Sequence, residues 1–411
     1  MFQKTFSIFI FFCASILLHA QSSIIPKWID IEKGLSQGYV SSLLQDKEGF
    51  IWMGTKNGLN RFDGEHFEVF TEDIENPYSI TGNNIYTLLD DDEFILIGTE
   101  QGLNVYDKTT KYFYTIPLYS GENSGQTSIV SYILKDEFNQ YWVVDWNTQF
   151  LFKLKFDDDF IQKIRKGEQT ANAVEIKKCS NLHKIYPHKL ALFNNALVVV
   201  DQQQNELGEW EKSFKQIPLN SEEALNMDSL PFASKRERFN FFTSNNQLVI
   251  AFWGEKHIHI LEKDTWLKIP TAISIRKISH LKKEKKVLLE SDTGCFVFNA
   301  TVLSEKDLIS KNLAINSFNL KTHHTDWIQD TSGNNWIATS GYGVAKLGYR
   351  QSKIKTYFTG KSIYAKPFIM DEGSVYIAST ASPERLGILN SESEKVTLET
   401  FLDKKRYILY A

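Results

Sequence analysis

Along most of the chain, short apolar runs alternate with polar turns at a spacing too tight for helices. Within residues 40–71 the runs VSSLLQ, FIWMGT, LNRFD and HFEVFT are each of strand length, and KEG and KNG separate the first three. Runs rich in Val, Ile, Phe, Trp and Tyr, bounded by glycine turns, predict antiparallel strands. The apolar stretch Phe6–Leu18 breaks this rhythm. It follows Lys4 and precedes the small residue Ala20, the layout of a cleaved secretory signal peptide over residues 1–20. An uncleaved anchor is the alternative, although the run falls short of the roughly 20 residues of a comfortable span.

The strand frame recurs. LLQDKEGFIWMGTKNGLNRFDG (43–64) aligns without a gap on TLLDDDEFILIGTEQGLNVYD (87–107), at a period of about 44 residues. The residues IQDTSGNNWIATSGYGVAKL (328–347) return to the frame with Asp330, Gly333 and Trp336, and LKDEFNQYWVVDW (134–146) keeps Asp136 and Trp142. Fainter copies lie at 193–204, 244–260, 282–298 and 370–389. With Thr55 as marker, the counterparts are Thr99, Asp145, Asp201, Trp253, Ser291, Thr339 and Ser379, with the largest insertions near 160–175 and 205–237.

Four short antiparallel strands per copy describe one blade of a β-propeller, because a lone blade cannot bury both faces and must stack around an axis. The predicted fold is all-β, a seven-bladed β-propeller of four-stranded antiparallel blades over residues 21–350. The start of a second propeller follows, with its first blade in 351–411. A propeller closes when one terminus supplies a strand to the last blade. Trp28–Ile31 is placed to complete blade seven. Within a copy the conspicuous residues read as structural. Asp46 accepts turn N–H bonds, Gly49 permits the turn and Trp52 packs between blades. Asp136 and Trp142, and Asp330, Gly333 and Trp336, repeat those roles.

Composition adds three exclusions. A formal net charge of -4 argues against a nucleic-acid footprint. Beyond the signal region only Cys179 and Cys295 remain; they could pair, but no disulfide framework is expected. No Walker A, HExxH, GxSxG or CxxC motif is present. The histidines of HIH (257–259) share a strand face but read as half-exposed strand residues, and no metal or cofactor is expected. Asp90–Asp92 and Asp157–Asp159 read as solvated hairpin turns, lacking calcium-loop spacing. A sialidase-like enzyme would need clustered arginines, and Arg61, Arg165, Arg236, Arg238 and Arg276 show no recurrence at equivalent central positions.

Residues 34–64, GLSQGYVSSLLQDKEGFIWMGTKNGLNRFDG, closely resemble the two-component regulator propeller repeat. The likeness is strong in the first copy, good in the second and seventh and degenerate between. The resemblance implies the periplasmic sensor region of a Bacteroidetes hybrid two-component histidine kinase. There, two propellers precede an immunoglobulin-like domain, a membrane helix, a kinase and a response regulator, and oligosaccharides are commonly the signal. By that analogy the chain is periplasmic and non-catalytic, binds an oligosaccharide and no nucleic acid, and reaches the membrane only through a missing C-terminal portion, with a homodimer left open. The chain departs from the pattern by stopping at Ala411, which suggests truncation. A free secreted propeller, serving as a carbohydrate-active enzyme or a protein-interaction scaffold, is the alternative.

The binding site is expected where the loop after the second strand of each blade opens near the axis. Trp146, Trp253 and Tyr342 fall in that frame and would stack on sugar rings, with Asn147 and Glu255 orienting hydroxyls. The competing role for each ring is to fill a gap between blades.

Overall fold

The computed structural model describes residues 25–119, 127–170, 173–185, 190–204, 206, 208, 210–227, 238–244, 247–262, 265–281, 284–303 and 316–348, with four strands between 367 and 400. Residues 1–20, read above as a signal peptide, the marker Ser379 and Arg236 lie outside this set. The chain forms two units, residues 1–349 and 350–411.

The first unit is a ring of seven antiparallel blades. Blade 1 shows how the sequence builds each one. Strands β2 (Val40–Gln45), β3 (Ile51–Thr55), β4 (Gly58–Phe62) and β5 (Phe67–Phe70) pair in chain order, with β2 innermost. β3 is buried throughout, as a strand with a blade on either side must be. The inner strands of blades 1, 2, 3 and 7 each carry a register shift opposite the end of the second strand, at 40/42, 85/87, 130/132 and 324/327. Such a bulge adds bend and twist where the blades crowd the axis.

Among the described residues the buried side chains form no single core but sort into seven apolar clusters, one for each pair of neighbouring blades. Trp52, Ile97 and Tyr106 join blades 1 and 2, and Trp336, Met53 and Val40 join blade 7 to blade 1. Fully burying one such aliphatic or aromatic side chain is worth roughly 1.5–3 kcal/mol, so the stability is spread around the ring rather than stored in one blade.

The N-terminus closes the ring. Strand β1 (Lys27–Ile29) pairs antiparallel with Val344–Leu347 as the outermost strand of blade 7, with Ile29 opposite Val344. The closing strand thus begins and ends slightly earlier than Trp28–Ile31, because Ile31–Lys33 turns into a short 3-10 helix.

Other expectations need correction. Blade 4 has a divided inner edge, with Lys184–Ile185 and Ala191–Phe193 both pairing with Ala196–Gln204. This irregularity explains its faint copy. Asp157–Asp159 is no hairpin but leads into helix α1 (Phe160–Arg165), inserted between the third and fourth strands of blade 3. Phe160, Ile161 and Ile164 bury its apolar side, and Arg165 bonds Asp107 of blade 2 through two nitrogens at 2.6 Å. Asp90 and Asp91 end a strand, facing Lys108 and Lys135 respectively. Cys179 and Cys295 are free thiols buried in separate clusters. The second unit contains a four-stranded antiparallel sheet formed by Pro367–Met370, Ser374–Ala378, Arg385–Asn390 and Val396–Thr400.

Candidate ligand-binding face

In blades 1, 2, 3, 6 and 7 the marker residue bonds the turn after the second strand. The Thr55 hydroxyl accepts from Asn57 N at 3.0 Å and donates to the Gly58 carbonyl at 2.8 Å. Thr99, Ser291 and Thr339 make equivalent pairs of bonds, and an Asp145 carboxylate oxygen accepts from Asn147 N at 3.0 Å. In these blades a short hydrogen-bonding side chain gives the loop's N–H groups a partner. Asp201 accepts instead from His183 N and Lys184 N.

Blade 5 corrects the frame. Its second strand ends at Phe252, which pairs with Phe239 as Thr55 pairs with Val40. Trp253 therefore stands one position beyond the marker, the position that Trp146 holds in blade 3. Their backbone N–H groups make the same bond, Trp146 to the Ile129 carbonyl at 2.7 Å and Trp253 to that of Arg238 at 3.1 Å. Glu100 and Ser340 bond the Asn84 and His323 carbonyls likewise. Both tryptophans remain exposed, at 40% and 41%, in a chain that buries Trp52 and Trp142 almost entirely.

Trp253 collects partners from three consecutive blades. The Arg238 guanidinium, just before the inner strand of blade 5, lies 5.5 Å from the indole centroid. Arg276, just before the inner strand of blade 6, lies at 5.9 Å. His323, just before the inner strand of blade 7, meets the indole edge-on at 5.5 Å. Side chains from blades 5 and 7 can touch across blade 6 only near the axis, so this cluster sits at the axial mouth. Arg238 and Arg276 both reach this central cluster, but from different register positions. Arg238 precedes Phe239, the partner of Phe252 at the marker position, whereas Lys277 pairs with Glu290 and so Arg276 itself falls opposite the marker Ser291.

The cluster is braced from below. Gly254 N and Ile275 N bond across to the Ile275 and Glu255 carbonyls at 2.7 and 2.8 Å, and Arg276 N bonds the Glu290 carbonyl at 2.8 Å. Glu290 is buried and faces both His323 and His324, while Ser279 Oγ lies 2.9 Å from His324 Nε2. Burial alone would raise the Glu290 carboxyl, but hydrogen bonds from His324 and His323 and the His324 charge outweigh it and hold the group at about 2. A depressed carboxylate stabilises the fold above its ordinary value of 4.5, and that stabilisation is lost as pH falls towards about 2. Urea midpoints are expected to drop across this window. Glu290→Gln should be less stable at neutral pH and lose that part of the slope; an unchanged slope would remove Glu290 from the account.

The other expected site residues share this face but not this cluster. Asn147 donates its side-chain amide to the Thr127 carbonyl at 3.2 Å. Glu255 lies 3.3 Å from His257, whose ring is 4.8 Å from that of His259, so the two histidines do share a strand face. Tyr342 meets Trp28 of the outermost strand at 6.4 Å, with Lys321 over both rings, which puts it towards the rim. Arg238, Arg276 and His323 are the residues that sequence reasoning missed. Counting back one position from each inner strand would have found them.

The fold and this face define a seven-bladed propeller with an aromatic, cationic axial mouth. Residues 34–57 match the family described as two component regulator propeller, so the chain carries that repeat. A stretch of 78 residues is 40% identical to histidine kinase P4 of Formosa agariphila, covering 18% of this chain and 6% of that protein. Two similar solved structures come from B. thetaiotaomicron. The extracellular domain of a protein described as a hybrid two component system matches with a TM-score of 0.57 and 19% identity, over 92% of this chain and 49% of that one. That of a protein described as a one component system matches with a TM-score of 0.52 and 18% identity, over 92% and 48%. Virginiamycin B lyase of Staphylococcus aureus matches with a TM-score of 0.52 and 12% identity, over 80% of this chain and all of that one. The chain spans about half the length of the two extracellular domains. At these identities the solved structures show the fold alone. Among the described residues, no helix is long and apolar enough to cross a membrane.

Proposed function

We propose that this chain is an exported sensor propeller of two-component signalling, and that its ligand is an oligosaccharide taken at the axial mouth. The repeat at 34–57 supports the signalling role. The observation that carries the ligand is the exposure of Trp146 and Trp253 at equivalent loop positions. Leaving these two residues two-fifths exposed forgoes burial that the same residue type achieves elsewhere in the chain, and aromatic rings suit sugar rings. Nothing in this role requires the chain to catalyse a reaction.

Calorimetry of the purified chain against a panel of neutral and charged oligosaccharides tests the proposal. Saturable binding without product is expected, weakened at least tenfold by Trp253→Ala and by Trp146→Ala with little change in Tm. Release of product would replace the sensor by an enzyme. Binding indifferent to both substitutions would move the site elsewhere.

A further inference from the structure

The charge pattern around Trp253 narrows the ligand class, on the premise that the axial mouth takes a saccharide. The residues just before the inner strands are Tyr39, Asn84 and Ile129 in blades 1 to 3, His183 in blade 4, and Arg238, Arg276 and His323 in blades 5 to 7. Of these, Arg238, Arg276 and His323 gather around one indole, that of Trp253. Two guanidinium groups at 5.5 and 5.9 Å from one indole centroid concentrate positive charge at this ring, which a bound anion would offset.

Among the described residues, three carboxylates near the cluster have definite partners. Asp292 meets Arg276 through Nε at 2.5 Å, and both side chains are substantially exposed, at 58% and 38%. That contact uses one donor of the guanidinium and leaves the terminal nitrogens for a bidentate partner. Glu290 is buried beneath the mouth on His323 and His324, and Glu255 faces His257. Among the described residues, no carboxylate is paired with Arg238.

We propose that the axial mouth binds an acidic oligosaccharide, bearing a carboxylate or sulfate, with a sugar ring on Trp253 and the anionic group between Arg238 and Arg276. The stack supplies area and the two arginines supply charge-assisted hydrogen bonds. Exposed ion pairs weaken with salt, so the affinity should too.

The test compares matched probes on the purified chain by calorimetry. One pair is a galacturonate tetrasaccharide and its methyl ester; the other is a sulfated carrageenan tetrasaccharide and its desulfated form. At least one acidic member is expected to bind tenfold or more tightly than its neutral partner and to weaken between 50 and 500 mM salt, on the order expected for screened charges. Arg238→Gln and Arg276→Gln should each erase most of that preference, with Tm read as the control for folding. The acidic pair that responds tells carboxylate from sulfate. Neutral members binding as tightly as acidic ones would overturn this inference and leave the saccharide reading standing. If none of the four binds, both fall.

Discussion

Asp136→Ala is expected to lower the unfolding free energy by about 3–5 kcal/mol, far more than removal of an ordinary turn residue. One carboxylate oxygen of Asp136 accepts from Phe138 N and Gln140 N, each at 2.9 Å, and the other accepts from the Trp142 indole N–H at 2.9 Å. The residue is 5% exposed and Trp142 is fully buried. Alanine would leave the indole donor with no partner in the apolar cluster between blades 3 and 4, and each orphaned buried group costs about 1–3 kcal/mol. Asp46 with Trp52 and Asp330 with Trp336 repeat the bond at 2.7 Å, so the same loss is expected there. Trp142→Phe should cost less, since the ring remains and the turn bonds survive. Asp90 provides the contrast. Blade 2 has Leu96 where blades 1, 3 and 7 have tryptophan, and Asp90 faces Lys108 instead. Asp90→Ala should therefore cost no more than about 1–2 kcal/mol, as expected for a partly exposed ion pair. Urea denaturation of the five variants decides the matter, and equal losses at Asp136 and Asp90 would sink the indole bond as the reason.

The repeat was legible because blade geometry forces similar residues into the same turn. Asp46 and Trp52 look in sequence like two separate devices, a turn former and a gap filler. Their constant spacing in three copies was the available sign that one holds the other. Blade 4 was faint because its inner edge is split, so Asp201 no longer sits beside a regular hairpin. Helix α1 was hidden for a different reason. It lies in an insertion, and six residues with buried Phe160, Ile161 and Ile164 are too short for a helical period to stand out from strand-like apolar runs. The site divides the same way. Trp146 and Trp253 belong to the repeat frame, whereas Arg238, Arg276 and His323 sit at the ends of connections whose lengths vary, where alignment of copies loses its footing.

Gly343→Ala is expected to cost several times as much as Gly49→Ala, although both glycines adopt left-handed backbone, with φ of 74° and 96°. That conformation alone penalises alanine by about 1 kcal/mol. At Gly49 a Cβ would meet nothing within 4 Å, so the conformational penalty is the whole effect. At Gly343 it would lie 2.2 Å from the Ile29 carbonyl oxygen and 3.0 Å from Asp30 Cα. The backbone of the closing strand would have to withdraw. Withdrawal gives up the pairing of Lys27–Ile29 with Val344–Lys346 and lifts Ile29, 3% exposed, out of the cluster joining blades 7 and 1. It also uncovers Val344–Leu347 as a raw edge, which invites association of chains. A loss above about 3 kcal/mol is therefore expected for Gly343→Ala, within the range for disrupted buried packing. Faster hydrogen exchange in blades 7 and 1 should accompany it, with blades 3 and 4 the last to respond. Hydrogen exchange by mass spectrometry reads that order directly. If Gly343→Ala costs no more than Gly49→Ala, or if exchange quickens evenly around the ring, the N-terminal strand is an ornament of the propeller and not its clasp.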